Sequence, residues 1–190
     1  MNIIIDNEVW CELEIEDCVC KYKFLLSNIP CFIGGHKKTC KRFGKYRKIN
    51  HRKFSSKVIE GVVCCDSSED AKQCALSIQK LIESGYRNRR DGWFVGMGMN
   101  EVFLHFDGEP MNFLHKTFAQ SFAEKSLIQI HEKLKNSSSA CYLFVCPEKD
   151  VRLDEIDVIY QKIQPNIDVE VLWQFYRLPI CTRTVSVWYR

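Results

Sequence analysis

No aspartate or glutamate occurs between Asp17 and Glu60, although twelve lysines and arginines do. A segment that only had to stay soluble would gain from mixed signs, so this absence points away from a plain solvated surface and toward an anionic partner. Long hydrophobic runs are missing as well. No apolar segment reaches the ~18 to 20 residues that a spanning helix needs, and the opening run of Ile3, Ile4 and Ile5 is cut off by Asp6, far short of a secretory signal core. The expectation is a chain without a membrane span, placed in the cytoplasm, or in a host cytoplasm if the source is viral.

Other absences narrow the chemistry. There is no Walker A loop, no Gly-x-Ser-x-Gly elbow and no dinucleotide fingerprint; Gly96-Met97-Gly98 lacks the third glycine and precedes a run that reads as a strand. No Cys-x2-Cys pair exists, and the eleven cysteines are odd in number and lie mostly in apolar runs such as Cys141 to Cys146. That pattern fits reduced, buried thiols better than a secreted disulfide framework. No internal repeat or low-complexity tract is present.

What is there suits one folded unit. At 190 residues, 46% hydrophobic and 27% charged, the chain is long enough to bury a substantial core. The formal net charge of +3 hides a strong asymmetry: residues 1–17 carry −6, residues 18–59 carry +12 and residues 60–190 carry −3. Positive charge is therefore a property of one stretch rather than of the whole protein.

The acidic first block alternates Val9, Cys11, Leu13 and Ile15 against Glu8, Trp10, Glu12 and Glu14, which is the pattern of a half-buried strand. A turn at Glu16-Asp17 would return the chain with Cys18, Cys20, Tyr22 and Phe24 buried, Lys21 opposite Glu12 and Lys23 opposite Trp10. Residues 28–56 then lose periodicity and are punctuated by Pro30, Gly34, Gly35 and Gly44, so they read as a long loop. Residues 57–65 read as a strand. Residues 67–84 read as a helix with Ala71, Cys74, Ala75, Ile78, Leu81 and Ile82 on one face, Ser67 and Asp70 as a capping box, and Gly85 as its stop.

Two strands are expected over 92–98 and 100–108, then a long helix from Pro110 to Lys135 with Leu114, Phe118, Phe122, Leu127, Ile130 and Leu134 on its apolar stripe. Residues 140–146 are apolar on both faces, as a central strand should be. A short helix over 153–163 and two strands turning at Leu178-Pro179 complete the chain. The fold class is α+β, mainly antiparallel, with a ferredoxin-like βαββαβ order over 57–146 flanked by an N-terminal hairpin (1–27) and a C-terminal helix and hairpin (147–190) in a single domain, 1–190. Both main helices should cover one face of the sheet, burying Cys74, Ile78, Leu81, Phe118 and Phe122 together.

The candidate site lies in the loop. Lys37, Lys38, Lys41, Arg42, Lys45, Arg47, Lys48, Arg52 and Lys53 supply positive charge, with Phe43 and Tyr46 interleaved. Clustered cations neutralise phosphates, and aromatics between them stack on bases, so the first reading is a non-catalytic protein that binds nucleic acid, RNA before DNA. An inhibitor, immunity or assembly subunit that docks on an acidic protein surface is the alternative. A third reading is a nuclease, using His36 and His51 for acid-base work or a metal held by His105, Asp107 and Glu109 along one strand face. Cys31, His36 and Cys40, with Cys18, Cys20 or His51 in reach, leave zinc open, although scattered thiols explain the same residues and no cofactor is required.

Overall fold

The computed structural model describes residues 1–26, 58–90, 99–118, 124–147 and 170–190. The basic loop, Phe122, the expected strand at 92–98 and the expected helix at 153–163 lie outside them.

Strand β1 (Asn2–Ile5) turns at Asp6-Asn7 into β2 (Glu8–Glu16). Both turn residues sit at positive φ, 50° and 66°, which a tight two-residue hairpin demands and which Asp and Asn tolerate best among residues with a side chain. A register shift between Ile3 and Ile4 leaves Trp10 as the extra residue of β2, and Trp10 is buried in the core instead of facing out with Glu12. Strand β3 (Val19–Leu25) follows a turn at Asp17-Cys18, again with positive φ at Asp17. The hairpin forms as the alternation requires, but one residue later than expected. Lys23 faces Glu12 and Lys21 faces Glu14.

Strand β4 (Val58–Cys64) pairs antiparallel with β3 and leads into helix α1 (Ser68–Arg90). Ser67 Oγ accepts the Asp70 N–H at 3.1 Å and donates to its carboxylate at 2.6 Å, so the cap forms. All six residues of the expected apolar face are buried. Gly85 does not end the helix, because a glycine only weakens a helix whose flanking turns continue.

Helix α2 (Met99–Phe106) replaces the strand expected at 100–108. Its buried residues Val102, Phe103 and Phe106 follow a helical spacing, with Phe103 as buried as the supposed core positions. The long helix from Pro110 is likewise corrected: Met111–Phe118 is strand β5, and among the described residues of that span the helix is Glu124–Lys133, α3. Strands β6 (Ser139–Pro147), β7 (Glu170–Leu178) and β8 (Arg183–Tyr189) complete one eight-stranded sheet of order β1-β2-β3-β4-β5-β8-β6-β7. The β4–β5 and β6–β7 pairs are parallel and the rest antiparallel.

The fold is therefore α+β, with a larger, curled sheet of half-barrel form and without the βαββαβ order expected over 57–146. The C-terminal strands do not pair as a hairpin. β8, buried on both faces, inserts between β5 and β6, while β7 takes the outer side of β6.

Helix α1 touches β2, β3, β4, β5 and β7, so the sheet wraps it. This concave side holds the larger core, where Cys74, Ile78 and Leu81 meet Phe24, Phe103, Phe106, Cys141 and Trp188. Phe118 belongs to a second core with Leu127, Ile130, Leu134, Phe144 and Phe175. Alternation along β6 sends Cys141, Leu143 and Val145 to the first core and Tyr142, Phe144 and Cys146 to the second. Helices α1 and α3 thus cover opposite faces, which corrects the one-face packing. Among the described residues, no helix is long and apolar enough to cross a membrane.

Candidate binding surface and the buried polar seam

The chain departs from β3 and returns on β4 at directly opposed residues, Leu25 and Val58. Everything from 28 to 56 is an excursion between two paired strands. All the candidate contact residues, Lys37, Lys38, Lys41, Arg42, Phe43, Lys45, Tyr46, Arg47, Lys48, Arg52 and Lys53, fall within it, as do Cys31, His36, Cys40 and His51, and so lie outside the described residues.

The sheet below this excursion carries its own charge pattern. On the side of β2–β4 away from α1, Lys23 pairs with Glu12 at 3.7 Å, and Lys21 pairs with Glu14 at 3.7 Å and with Glu16. Hydrogen bonding to Lys21 lowers the Glu16 pKa and raises that of Lys21. These pairs are solvent-exposed, and Glu12, Glu14, Lys21, Lys23 and Glu60 line a shallow, open groove of about 450 Å³. They add little stability, but they do neutralise both described lysines of the acid-free stretch. The other ten bases of that stretch, from Lys37 to Lys57, lie outside the described residues.

His105, Asp107 and Glu109 do not share a strand face. His105 lies in the last turn of α2, buried, with its Nε2 3.2 Å from the Trp188 carbonyl oxygen, and burial pulls its pKa down to about 4. Asp107 and Glu109 are exposed beyond the helix, where Arg190 donates to their backbone carbonyls at 3.4 and 3.3 Å. The strand alternation that was to align the three is absent, and His105 is a core residue. Among the described residues no group of three or more His, Cys, Asp or Glu side chains is arranged to hold a metal ion. Cys20 is fully buried and Cys18 exposed at the β2–β3 turn.

A different histidine occupies a polar seam under α1. His115 Nδ1 lies 2.9 Å from Ser186 Oγ, which lies 2.8 Å from Ser77 Oγ, and Gln73 donates to Ser77 at 3.4 Å. Burial, then the charge of Lys80, hold the His115 pKa down at about 4, so the ring is neutral near pH 7. Ser77 and Ser186 are about 1% exposed, so neither hydroxyl can meet a substrate. The seam joins α1 to the sheet through satisfied polar groups. The expected helix at 110–135 concealed it, because Phe113 to Phe118 show no strict apolar-polar alternation that would mark a strand.

No protein-family model matches the chain, and no characterised protein matches it in sequence.

Proposed function

We propose that the chain is a non-catalytic binding protein that presents its basic excursion to a phosphate-bearing polymer, RNA before DNA. The observation that supports this reading is the segregation of charge. Ten bases and no acid lie between Lys37 and Lys57, while the two other bases of the acid-free stretch are already paired with glutamates on the sheet. Phosphate contacts by Lys41, Arg42, Lys45, Arg47 and Lys48, with stacking on Phe43 and Tyr46, need no catalytic group, and His105 and His115 are held by hydrogen bonds within the fold.

Filter binding of single-stranded RNA across salt concentrations tests the reading. Neutralising Z phosphates gives a slope of about −0.7Z in log affinity against log salt, so five contacts give about −3.5. A protein that binds neither RNA nor DNA at about 50 mM salt would exclude this reading and leave an acidic protein surface as the partner of the excursion.

A further inference from the structure

Cys18, in the β2–β3 turn, and Cys65, just past the end of β4, lie side by side one step beyond the last paired residues of the two strands. The β3–β4 register runs from Leu25↔Val58 to Val19↔Cys64, and the Cys65 N–H donates to the Cys18 carbonyl at 2.8 Å, one step further along the same ladder. Opposed residues of this hydrogen-bonded type have Cα atoms about 5.5 Å apart in an antiparallel pair. That spacing is the commonest one for a disulfide. Cys18 is exposed at the turn and Cys65 is half-buried against the concave core.

Cys20 has its pKa lowered by a hydrogen bond from Cys74 but is fully buried, out of reach of a peroxide. The other neighbouring thiols are disposed to stay out of the reaction. Cys74 lies within hydrogen-bonding reach of Cys65 and Cys20, receives the Trp188 indole N–H at 3.4 Å, and burial pushes its pKa well above the usual thiol range. A protonated, buried thiol is a poor nucleophile. Cys64 is exposed but adjacent in the chain to Cys65 and faces Val19 across the ladder rather than a cysteine.

We propose that Cys18 and Cys65 are a redox modification site, at which a peroxide converts the two thiols into a disulfide that bridges the β2–β3 turn to the end of β4. The Cys18 thiolate attacks the peroxide, forming an S–O bond as the O–O bond breaks and hydroxide leaves. The Cys65 thiolate then attacks the sulfenic sulfur, forming the S–S bond as the S–O bond breaks and the oxygen departs as water once protonated. Two electrons pass from the thiols to hydrogen peroxide, and two waters result overall. The bridge encloses the whole 19–64 segment in a covalent ring.

Titration of the full-length protein with hydrogen peroxide, followed by alkylation and peptide mass spectrometry with and without reductant, reads the product. The expected result is one reductant-sensitive linkage between the Cys18 and Cys65 peptides, absent in Cys18→Ser and Cys65→Ser and unaffected in Cys181→Ser, with a higher melting temperature for the oxidised protein. Cys18→Ser alters an exposed turn residue, and circular dichroism of the reduced variant checks its fold. Finding Cys18 and Cys65 separately alkylated, separately over-oxidised, or linked to other cysteines in preference to one another would overturn the proposal.

Discussion

Tyr22 and Gly61 face each other across β3 and β4, and the tyrosine ring occupies the space that a side chain at position 61 would need. A Cβ at Gly61 would approach the ring carbon Cζ of Tyr22 to 2.8 Å. The ring is held there because its hydroxyl donates to the Phe106 carbonyl at 2.6 Å, inside the core, while its edge meets the Phe106 ring. Gly61→Ala should therefore cost about 1 to 3 kcal/mol by overpacking, and Gly61→Val more, as measured by urea denaturation. Tyr22→Phe tests the other half of the relationship. It keeps the ring but leaves a buried carbonyl without its donor, at a cost of about 1 to 3 kcal/mol.

Phe106 is the hub of the larger core, with ring centroids 5.3 Å from Tyr22, 5.4 Å from Phe24 and 5.5 Å from Trp188. Phe106→Ala should lower stability by about 3 to 5 kcal/mol through the cavity it leaves. Ile128, on the outer side of α3 and 51% exposed, is the control. Its replacement by alanine should shift the denaturation midpoint only slightly.

Acid should destabilise the fold through two histidines. His105 and His115 both have folded pKa values of about 4, below the ordinary 6.5, because burial disfavours the imidazolium. Their contribution is thus complete above pH 6.5 and is lost as pH falls from there to about 4, where the folded state also begins to bind the protons. For His105 the full loss is about 3 kcal/mol; half-buried His115 contributes less. Melting temperature measured between pH 7.5 and 4 should fall with decreasing pH, and His105→Gln should flatten that dependence. Equal pH dependence in the variant would remove His105 as its source.

Charge and stacking should separate in the binding experiment. Replacing Arg42, Lys45 and Arg47 by glutamate should flatten the salt slope and weaken binding to every sequence. The pair Phe43→Ala and Tyr46→Ala should lower affinity and leave the slope nearly unchanged. Fluorescence anisotropy with labelled RNA at several salt concentrations measures both.

Local patterns conveyed faces better than partners. The β2–β3 hairpin was legible from its alternation, and moving the turn from Glu16-Asp17 to Asp17-Cys18 shifts each strand's partner by two residues, which keeps Cys11, Leu13, Cys20, Tyr22 and Phe24 buried and changes the charge pairs. Cys18, expected buried, is exposed in the turn, and Trp10, expected outside, is buried by the bulge. The Asp6-Asn7 turn and β1 carried a signal of the same kind in the short dipeptide between two apolar runs. Residues 110–135 misled because Leu114 and Phe118, four apart, share a face in a strand as well as in a helix. Residues 99–106 misled in the opposite sense, since Val102, Leu104 and Phe106 alternate while the burial of Phe103 shows the helix.

Sheet order was beyond local reading. Strand β8 pairs with β5 and β6, with Tyr189 opposite Asn112 some 77 residues away, and nothing in a window around Arg183–Tyr189 specifies those partners. Of the candidate sites, the acid-free stretch was legible from composition alone. The His115 seam was not, because it depends on α1 crossing a strand that had been read as helix.

The opposition of Leu25 and Val58 has a consequence for the history and engineering of the chain. A loop whose two ends already sit side by side carries a closure cost that grows only slowly with its length. Such a cassette can be lengthened, exchanged or cut to a tight turn while the eight strands keep their order, so scaffold and cargo are free to diverge at different rates. A version with residues 28–56 replaced by a few glycines and serines should melt as one cooperative unit, and a foreign peptide grafted between the same two residues should be displayed on an unchanged sheet.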